Sequence, residues 1–291
     1  MNGLLIVDKP AGVTSHDVVA RVRRATGERS IGHLGTLDPM ATGVLPLLLG
    51  RYTRLAQYFG ASEKSYTGSI RFGFATDTYD AEGEPTSPEQ KLALTQAELE
   101  LLASRFQGTI EQMPPAYSAK KVAGQTAHQL ARAGKTPQLR AVPVTVHEFA
   151  LETMVGDTVN FRMRISAGGY VRSVAHDLGQ LAGCGAHLSS LRRTAAGDFT
   201  LQEALGLEQI EQLAAEGQLE ARIPHARTLL PQLPAVTVEE QTAGRLRNGM
   251  QVNLPEFSSA ELVRIFSDQQ TILAIGRRIA GTLFQPVTVI G

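Results

Sequence analysis

A strict alternation of apolar and polar residues near the middle of the chain is the strongest constraint on its fold. The segment runs from Thr158 to Ser166, and Arg162 and Arg164 lie on its polar side. The residues on the other side are Val159, Phe161, Met163 and Ile165. A period of two is that of a strand with one buried face. The segment therefore predicts a strand in a sheet that is covered on one face and basic on the other.

Helical spacing occurs in other parts of the chain. Thr14 or Ser15 is placed to cap a helix through Val22, and Gly27 is placed to end it. Apolar residues recur at helical spacing again between Tyr170 and Ala182. The two periodicities together predict a fold that mixes helices and strands.

The length of 291 residues allows one large domain, or one with a small companion. Pro224, Pro231 and Pro234 predict a linker, and short strand-like runs without a long helix follow it. We therefore expect a large domain over 1–230 and a small β-rich domain over 235–291. On this division, a fragment that ends at Leu230 is expected to fold by itself.

Composition restricts the class of protein. No run of apolar residues approaches the roughly 18 that a membrane span requires, and the first residues lack the pattern of a signal peptide. A single cysteine, Cys184, excludes an intramolecular disulfide. The sequence thus predicts a cytoplasmic protein without metal. Five histidines lack the spacing to carboxylates that a metal site requires, which argues against a metal hydrolase. They are His33, His128, His147, His176 and His187.

Charge is balanced overall but segregated along the chain. The 28 basic residues equal the 28 acidic ones, which at first argues against a nucleic-acid partner. Residues 112–141 nevertheless contain five lysines and arginines and no acidic residue, whereas 198–220 contain six acidic residues and no lysine or arginine. Such runs are also typical of solvated surfaces. A polyanionic partner is therefore permitted by the charge pattern but not required by it.

The segment 32–43 carries the most chemical information. It contains one carboxylate, Asp38, among glycines, threonines and Pro39. Glycine lets the backbone approach a ligand closely, and proline stiffens the chain after the acid. A lone aspartate in such a loop suits covalent catalysis if a cation elsewhere keeps it ionised. An Asp-Pro pair is equally typical of an Asx-turn, so these residues alone leave both interpretations open.

The whole string 32–45, GHLGTLDPMATGVL, resembles the catalytic loop of the TruB family of tRNA pseudouridine synthases, whose pattern is GHxGxLDPxAxGxL. Further segments resemble the motifs of that family in the same order, and together they cover residues 1 to about 200. These segments are 8–12, 63–66, 112–121, 169–173 and 185–193.

This resemblance implies a fold and a reaction. The expected fold is α+β, the pseudouridine synthase fold, with a central, largely antiparallel sheet flanked by helices and a small C-terminal PUA-like β-barrel. The expected reaction isomerises uridine 55 in the T-loop of tRNA to pseudouridine, with the base flipped out of its stack. The N1–C1′ bond breaks and a C5–C1′ bond forms without a redox step, so no cofactor is implied. The expected partner is the T-arm of tRNA, and a monomer without an obligatory protein partner or a membrane is expected.

The resemblance also assigns catalytic roles. Asp38 matches the family's nucleophile, although attack at C1′, attack at C6 and stabilisation of a glycal-like intermediate all remain open. Arg172 matches the arginine that pairs with it, and Tyr66 the tyrosine that stacks on the base and is placed to remove the C5 proton. Taken singly, Arg172 is also compatible with a surface helix and Tyr66 with a half-buried sheet position.

On the substrate side, the resemblance implies that His33 supports the RNA as the base leaves, although a structural histidine is equally compatible. The insertion over 112–141 is expected to clamp the T-loop, and Lys9 is expected to support the loop architecture. The complete set of expected substrate-side residues is His33, Leu191, Tyr170, Lys9, Lys120 and Lys121.

Two other functions compete with this interpretation. One is the guide-RNA-dependent branch of the same superfamily, which works inside a ribonucleoprotein; the long basic insertion and the absence of a lysine-rich tail argue against it. The other is a tRNA-binding folding factor whose catalysis is incidental, and the same RNA-binding surface would serve that role. Modification of unmodified tRNA by the purified protein alone distinguishes the first alternative, and a folding assay with an Asp38 variant distinguishes the second.

Overall fold

The computed structural model of the chain describes residues 1–60, 62–118, 120–122 and 124–291, without the side chain of Lys121. The strands are β1 (Gly3–Lys9), β2 (Ile31–His33), β3 (Thr42–Leu49), β4 (Lys64–Phe72), β5 (Gly108–Gln112), β6 (Lys121–Val122), β7 (Gln125–Thr126), β8 (Val142–Val155), β9 (Thr158–Ile165), β10 (Ala186–Ala196), β11 (Phe199–Thr200), β12 (Leu205–Gly206), β13 (Ala235–Thr237), β14 (Val252–Asn253), β15 (Leu262–Phe266), β16 (Ile272–Ala280) and β17 (Leu283–Val289).

The helices are α1 (Ser15–Thr26), α2 (Gln96–Ala103), α3 (Ala127–Arg132), α4 (Val171–Leu181), α5 (Leu207–Ala215) and α6 (Glu240–Arg247). Short 3₁₀ helices cover Gly50–Tyr58, Ser104–Phe106, Leu201–Glu203, Leu219–Arg222 and Ala226–Thr228. The predicted mixture of helices and strands is confirmed.

The larger sheet has the strand order β12-β1-β3-β10-β4-β9-β8-β5, with β2 also paired to β3 and β11 to β10. Neighbouring strands in it run antiparallel except for the pairs β1–β12 and β3–β10. The expectation of a central, largely antiparallel sheet is therefore confirmed. β1 pairs along almost the whole of β3, and β2 pairs only with its last three residues, so the two strands occupy opposite edges of β3. The loop between β2 and β3 consequently leaves the sheet where β10 joins β3.

Local sequence accounts for several of these elements. Exposure alternates along β9 as predicted, with buried positions at every second residue. In α1, Thr14 accepts a hydrogen bond from the Asp17 backbone and Asp17 reciprocates, while Gly27 ends the helix in the left-handed conformation at φ 69°. The predicted limits of this helix are therefore confirmed.

The polar face of β9 differs from the prediction. Arg162 contacts Glu148 at 2.6 Å and Glu152 at 3.1 Å, and Arg164 contacts Glu63 at 2.8 Å. Acidic residues from neighbouring strands thus neutralise the arginines. The prediction of a basic sheet face was wrong because it considered one strand without its partners in the sheet.

Apolar residues on opposite faces of the sheet pack into separate clusters. Leu5 and Val7 of β1 belong to the cluster covered by the helices, whereas Leu4 and Ile6 point the other way. This second cluster includes residues of the C-terminal sheet, namely Phe266, Ile272, Ile275 and Ile290. The two parts of the chain therefore share a continuous apolar core.

The C-terminal strands form their own sheet in the order β13-β15-β16-β17-β14, a curled half-barrel. Arg264 of β15 donates to the backbone carbonyls of Leu229 at 2.6 Å and Leu233 at 2.8 Å. The hydroxyl of Tyr58, at the end of the 3₁₀ helix Gly50–Tyr58, contacts the hydroxyl of Thr288 on β17 at 2.7 Å. The proline-rich segment is therefore held against the small sheet.

Among the described residues, no helix is both long and apolar enough to cross a membrane.

Candidate active site

Asp38 lies in the loop that connects β2 with β3. Gly35 and Gly43 have φ values of 112° and 101°, which favour glycine. A Cβ atom at Gly43 would also collide with the backbone of Arg193 on β10. The glycine pattern thus reflects a loop that turns sharply and returns against a neighbouring strand.

A buried lysine fastens the base of this loop. The Nζ atom of Lys9 donates to the carbonyls of Pro10 at 2.9 Å, Val13 at 2.7 Å and Pro39 at 3.1 Å. Lys9 has no exposed surface, and burial lowers its pKa to about 8. Lys9 therefore supports the peptide that follows Asp38, and its ammonium group is enclosed by the loop carbonyls.

Arg193 fastens the other side of the loop. This arginine is 1% exposed and donates to the carbonyls of Val44 at 2.7 Å, Gly35 at 3.0 Å and Thr36 at 3.4 Å. Arg193 was assigned no role in the sequence analysis beyond its place in the segment 185–193. A nearly buried guanidinium with several donors suits a tight loop whose carbonyls have few other partners.

Arg172 contacts Asp38 through two parallel bonds. Its Nε lies 3.0 Å from Oδ2 of Asp38, and its Nη2 lies 3.1 Å from Oδ1. Such a fork fixes the orientation of a carboxylate and favours its ionised form. The Asp38 side chain keeps 33% of its surface exposed, whereas that of Arg172 keeps 7%. The guanidinium therefore covers one side of the Asp38 carboxylate, and the other side remains accessible to solvent.

A second carboxylate holds the far end of the same guanidinium. Nη1 of Arg172 contacts Asp80 at 3.2 Å and the Thr78 carbonyl at 3.0 Å. Asp80 is 2% exposed and also accepts from the Thr78 hydroxyl at 2.6 Å and the Glu82 amide at 3.1 Å. Asp80 was assigned no role in the sequence analysis. The nearby threonine and glycine residues were compatible with any turn.

Opposing effects shift the pKa of Asp38. Burial raises its pKa, the Arg172 cation lowers it, and the Asp80 anion raises it again, with a net shift upward from 3.8. Protonation of this carboxyl therefore occurs at a higher pH than for an ordinary aspartate, and it would remove the negative charge that faces the guanidinium.

Tyr66 and Leu191 lie on neighbouring strands beside this centre. Tyr66 of β4 pairs with Arg193 of β10, and Leu191 lies two residues from Arg193 on the same face. Their exposures are 8% and 7%. Burial raises the pKa of Tyr66, while the Arg193 cation opposes the shift and the Asp38 anion adds to it. Tyr66 is therefore a neutral phenol at the edge of an apolar wall.

His33 ends β2 and has a half-buried imidazole. Its Nδ1 is buried and has no hydrogen-bond partner among the described residues, and its ring lies 6.1 Å from that of His16 in an edge-to-face arrangement. Burial, with smaller contributions from His16 and Arg193, lowers the pKa of His33. The imidazole is thus neutral at physiological pH.

The remaining predicted substrate-side residues lie at the base of, or within, the insertion. Tyr170 precedes α4, and its backbone is bound by the side chain of Gln112. Lys120 is exposed, and a hairpin of β6 and β7 followed by α3 comes next. The side chain of Lys121 lies outside the described part of the structure. Asp38 and Arg172 are therefore in contact, Tyr66 lies close enough for the Asp38 anion to affect its pKa, and Leu191 lies on the strand next to that of Tyr66. Lys120 belongs to the insertion.

A largely antiparallel sheet with an arginine-bound aspartate in the β2–β3 loop is the arrangement expected of a pseudouridine synthase. Comparison with known families supports this class. Residues 23–171 match the family described as "TruB family pseudouridylate synthase (N terminal domain)". Residues 172–233 match "tRNA pseudouridylate synthase B C-terminal domain". The chain belongs to the TruB family of tRNA pseudouridine synthases.

Relatives of similar length carry the same description. The chain is 47% identical over 292 residues to tRNA pseudouridine synthase B of Solibacter usitatus, with 99% of this chain and 100% of the relative covered. It is 38% identical over 282 residues to tRNA pseudouridine synthase B of Bacillus thuringiensis strain Al Hakam, with coverage of 94% and 92%. These similarities assign the formation of pseudouridine in tRNA.

Solved structures support the fold independently. A chain from "Structure of H/ACA RNP bound to a substrate RNA containing 2'-deoxyuridine" superimposes with a TM-score of 0.72 at 23% identity, covering 99% of this chain and 85% of the other. A chain from "Crystal Structure of a Cbf5-Nop10-Gar1 Complex" gives a TM-score of 0.70 at 25% identity, with coverage of 96% and 79%. The likeness extends through the C-terminal sheet.

Proposed function

We propose that this enzyme isomerises uridine 55 in the T-loop of tRNA and that Asp38 is its nucleophile. The observation that carries this proposal is the fork between Arg172 and Asp38, with contacts of 3.0 and 3.1 Å. A carboxylate fixed from behind by a guanidinium presents its accessible oxygen in one direction, as a nucleophile requires.

The surrounding residues fit an extruded uracil. Tyr66 and Leu191 provide an apolar wall on which a flat base can stack, and the neutral phenol of Tyr66 offers a polar tip towards the base. The reaction needs cleavage at N1–C1′, rotation of the base, and loss of the proton from C5 after the new bond forms. Asp38 is proposed to supply the first function. Tyr66 is proposed for the last, for which its phenol must first lose its own proton to solvent so that the phenolate oxygen can accept the proton from C5.

His33 is proposed to border the space that the flipped nucleotide vacates. A neutral, half-buried imidazole beside the loop presents a flat surface to the RNA without adding a charge. Lys120, Lys121 and the rest of the insertion over 112–141 are proposed to hold the T-loop, because that stretch contains no acidic residue to repel phosphates.

The large catalytic part over 1–230 and the PUA-like part over 235–291 are proposed to have separate tasks in chemistry and RNA binding. We propose that the enzyme works in the cytoplasm as a monomer, without an obligatory protein partner or a cofactor.

The direct test uses the purified protein alone with unmodified tRNA transcripts. Pseudouridine should form at position 55 and at no other uridine, and an isolated T-arm stem-loop should also be a substrate. Activity that appears only after a guide RNA is added, or a product at another position, would refute the proposed specificity.

A further inference from the structure

The amide of Gln112 forms two hydrogen bonds with one residue at the start of α4. Its Nε2 donates to the carbonyl of Tyr170 at 3.0 Å, and its Oε1 accepts from the amide of Tyr170 at 2.8 Å. A side-chain amide carries one acceptor and a donor group in a plane, so it can satisfy the backbone N–H and C=O of one residue together. Gln112 is 1% exposed, which makes loss of either bond costly.

The same helical turn carries the catalytic arginine. Tyr170 is the N-cap of α4, and Arg172 follows two residues later. The first intrahelical bond, from the amide of Val174 to the carbonyl of Tyr170, is long at 3.3 Å. That carbonyl is shared with Gln112. The start of the helix is therefore held by the end of β5 as well as by its own hydrogen bonds.

The adjoining contacts fasten the beginning of the insertion to this turn. The Ser173 hydroxyl donates to the carbonyl of Met113 at 2.8 Å, and Nη2 of Arg172 donates to the carbonyl of Tyr117 at 2.9 Å. The first residues of the insertion and the arginine that holds Asp38 consequently depend on one helical turn.

We propose that Gln112 is a positioning residue, which sets the start of α4 and thereby directs the guanidinium of Arg172 onto Asp38. Gln112 does not reach the reacting atoms and acts through the helix. The inference deepens the proposed role of Asp38 and rests on it. A displacement of about 1 Å at a catalytic group can cost roughly a hundredfold in rate, so a small shift of Tyr170 has a measurable effect.

The test compares Gln112→Glu with Gln112→Met in single-turnover reactions at saturating enzyme. A neutral glutamic acid can restore both bonds, since its hydroxyl donates and its carbonyl oxygen accepts, whereas the ionised form cannot donate. Burial favours the neutral acid, so acidification should restore function. Methionine restores neither bond at any pH.

The expected rate of Gln112→Met is about ten- to a hundredfold below that of the parent, and tRNA affinity is expected to change by no more than a few-fold. The rate of Gln112→Glu, expressed relative to the parent at each pH, should rise as the pH falls from about 8 to about 5.5. This ratio removes the titration of groups present in both proteins, including Asp38 and Lys9.

Gln107→Met is the matched control. Gln107 lies five residues upstream on an exposed position, and its amide donates to the Phe149 carbonyl at 3.4 Å. This variant should react at the parental rate. Circular dichroism identifies loss of folding in Gln112→Met, in which case the pH response of Gln112→Glu carries the test.

Parental rates in both Gln112 variants would overturn the inference, and so would a Gln112→Glu deficit that does not change with pH. Asp38→Asn is measured in parallel. If Asp38→Asn is inactive while the Gln112 variants react normally, only the positioning role fails. If Asp38→Asn is active, the proposed function of Asp38 fails instead.

Discussion

Replacement of Arg172 by lysine tests whether geometry or charge alone activates Asp38. The guanidinium uses Nε and Nη2 on Asp38 and its remaining N–H groups on Asp80, Thr78 and Tyr117. A lysine carries its charge on one nitrogen with three donors, so it cannot reproduce a fork across both carboxylate oxygens. Loss of a charge-assisted hydrogen bond costs about 1.5 to 3 kcal/mol.

If the loss of the second bond to Asp38 is felt fully in the transition state, about 1.5 to 3 kcal/mol corresponds to roughly a 13- to 160-fold lower rate. The assay is single-turnover release of tritium from tRNA labelled at C5 of uridine, with enzyme in excess so that binding does not limit the rate.

The matched control is Arg162→Lys. Arg162 also contacts two carboxylates, those of Glu148 and Glu152, but its side chain is 55% exposed on β9 and makes no contact with Asp38 among the described residues. This control should react at the parental rate because exposed ion pairs contribute little. A rate for Arg172→Lys within about threefold of the parent would refute the argument, since it would show that the cation matters and the fork does not.

Other predictions concern the base, the pH response and the loop support. Tyr66→Phe should retain tRNA affinity but react at least about 100-fold more slowly, if the hydroxyl removes the C5 proton; equal rates would leave Tyr66 as a stacking surface. Because burial raises the pKa of Asp38 above 3.8 and the protonated acid is a poor nucleophile, the single-turnover rate should fall with decreasing pH at a midpoint above that value. Lys9→Met removes the buried ammonium donor from the carbonyls of Pro10, Val13 and Pro39, of which only Pro39 keeps another donor among the described residues, the amide of Gly12. It should lower the free energy of unfolding by about 2 to 4 kcal/mol in urea denaturation, with no change expected if the ammonium is unimportant.

Local periodicity was a sound guide to individual elements. The alternation along β9 and the cap and glycine stop of α1 are properties of short segments, so they could be predicted without knowing the rest of the fold. The charge of the sheet face could not be predicted in this way, because Arg162 and Arg164 acquire their acidic partners only when β9 pairs with its neighbouring strands.

The packing of the two parts of the chain against each other also could not be predicted from local sequence. Three prolines suggested a linker, but Leu229 and Leu230 are buried in the apolar cluster shared by both sheets. Removal of Phe266 and Ile275 and their neighbours would expose that cluster. Each fully buried side chain of this type contributes about 1.5 to 3 kcal/mol, which argues against independent folding of a fragment that ends at Leu230.

At the site, family resemblance pointed to Asp38 and Arg172 more readily than to the residues that hold these two side chains and their loop in place. Asp38 and Arg172 stand in recognisable strings, and the structure brings them into contact. Asp80 and the backbone bonds of Arg193 depend on long-range packing and carry no local signal. Residues of this kind can be identified only when buried hydrogen-bond donors and acceptors are paired in the three-dimensional structure.

The most direct test of the central claim is site-resolved mapping of pseudouridine in unmodified tRNA after incubation with the parent protein or with Asp38→Asn. The asparagine side chain is nearly isosteric with aspartate but is a far weaker nucleophile. The expected result is complete modification at position 55 by the parent and none by the variant, although the variant binds the same tRNA within a few-fold. Product from Asp38→Asn above about a hundredth of the parental rate would contradict the assignment of Asp38 as the nucleophile.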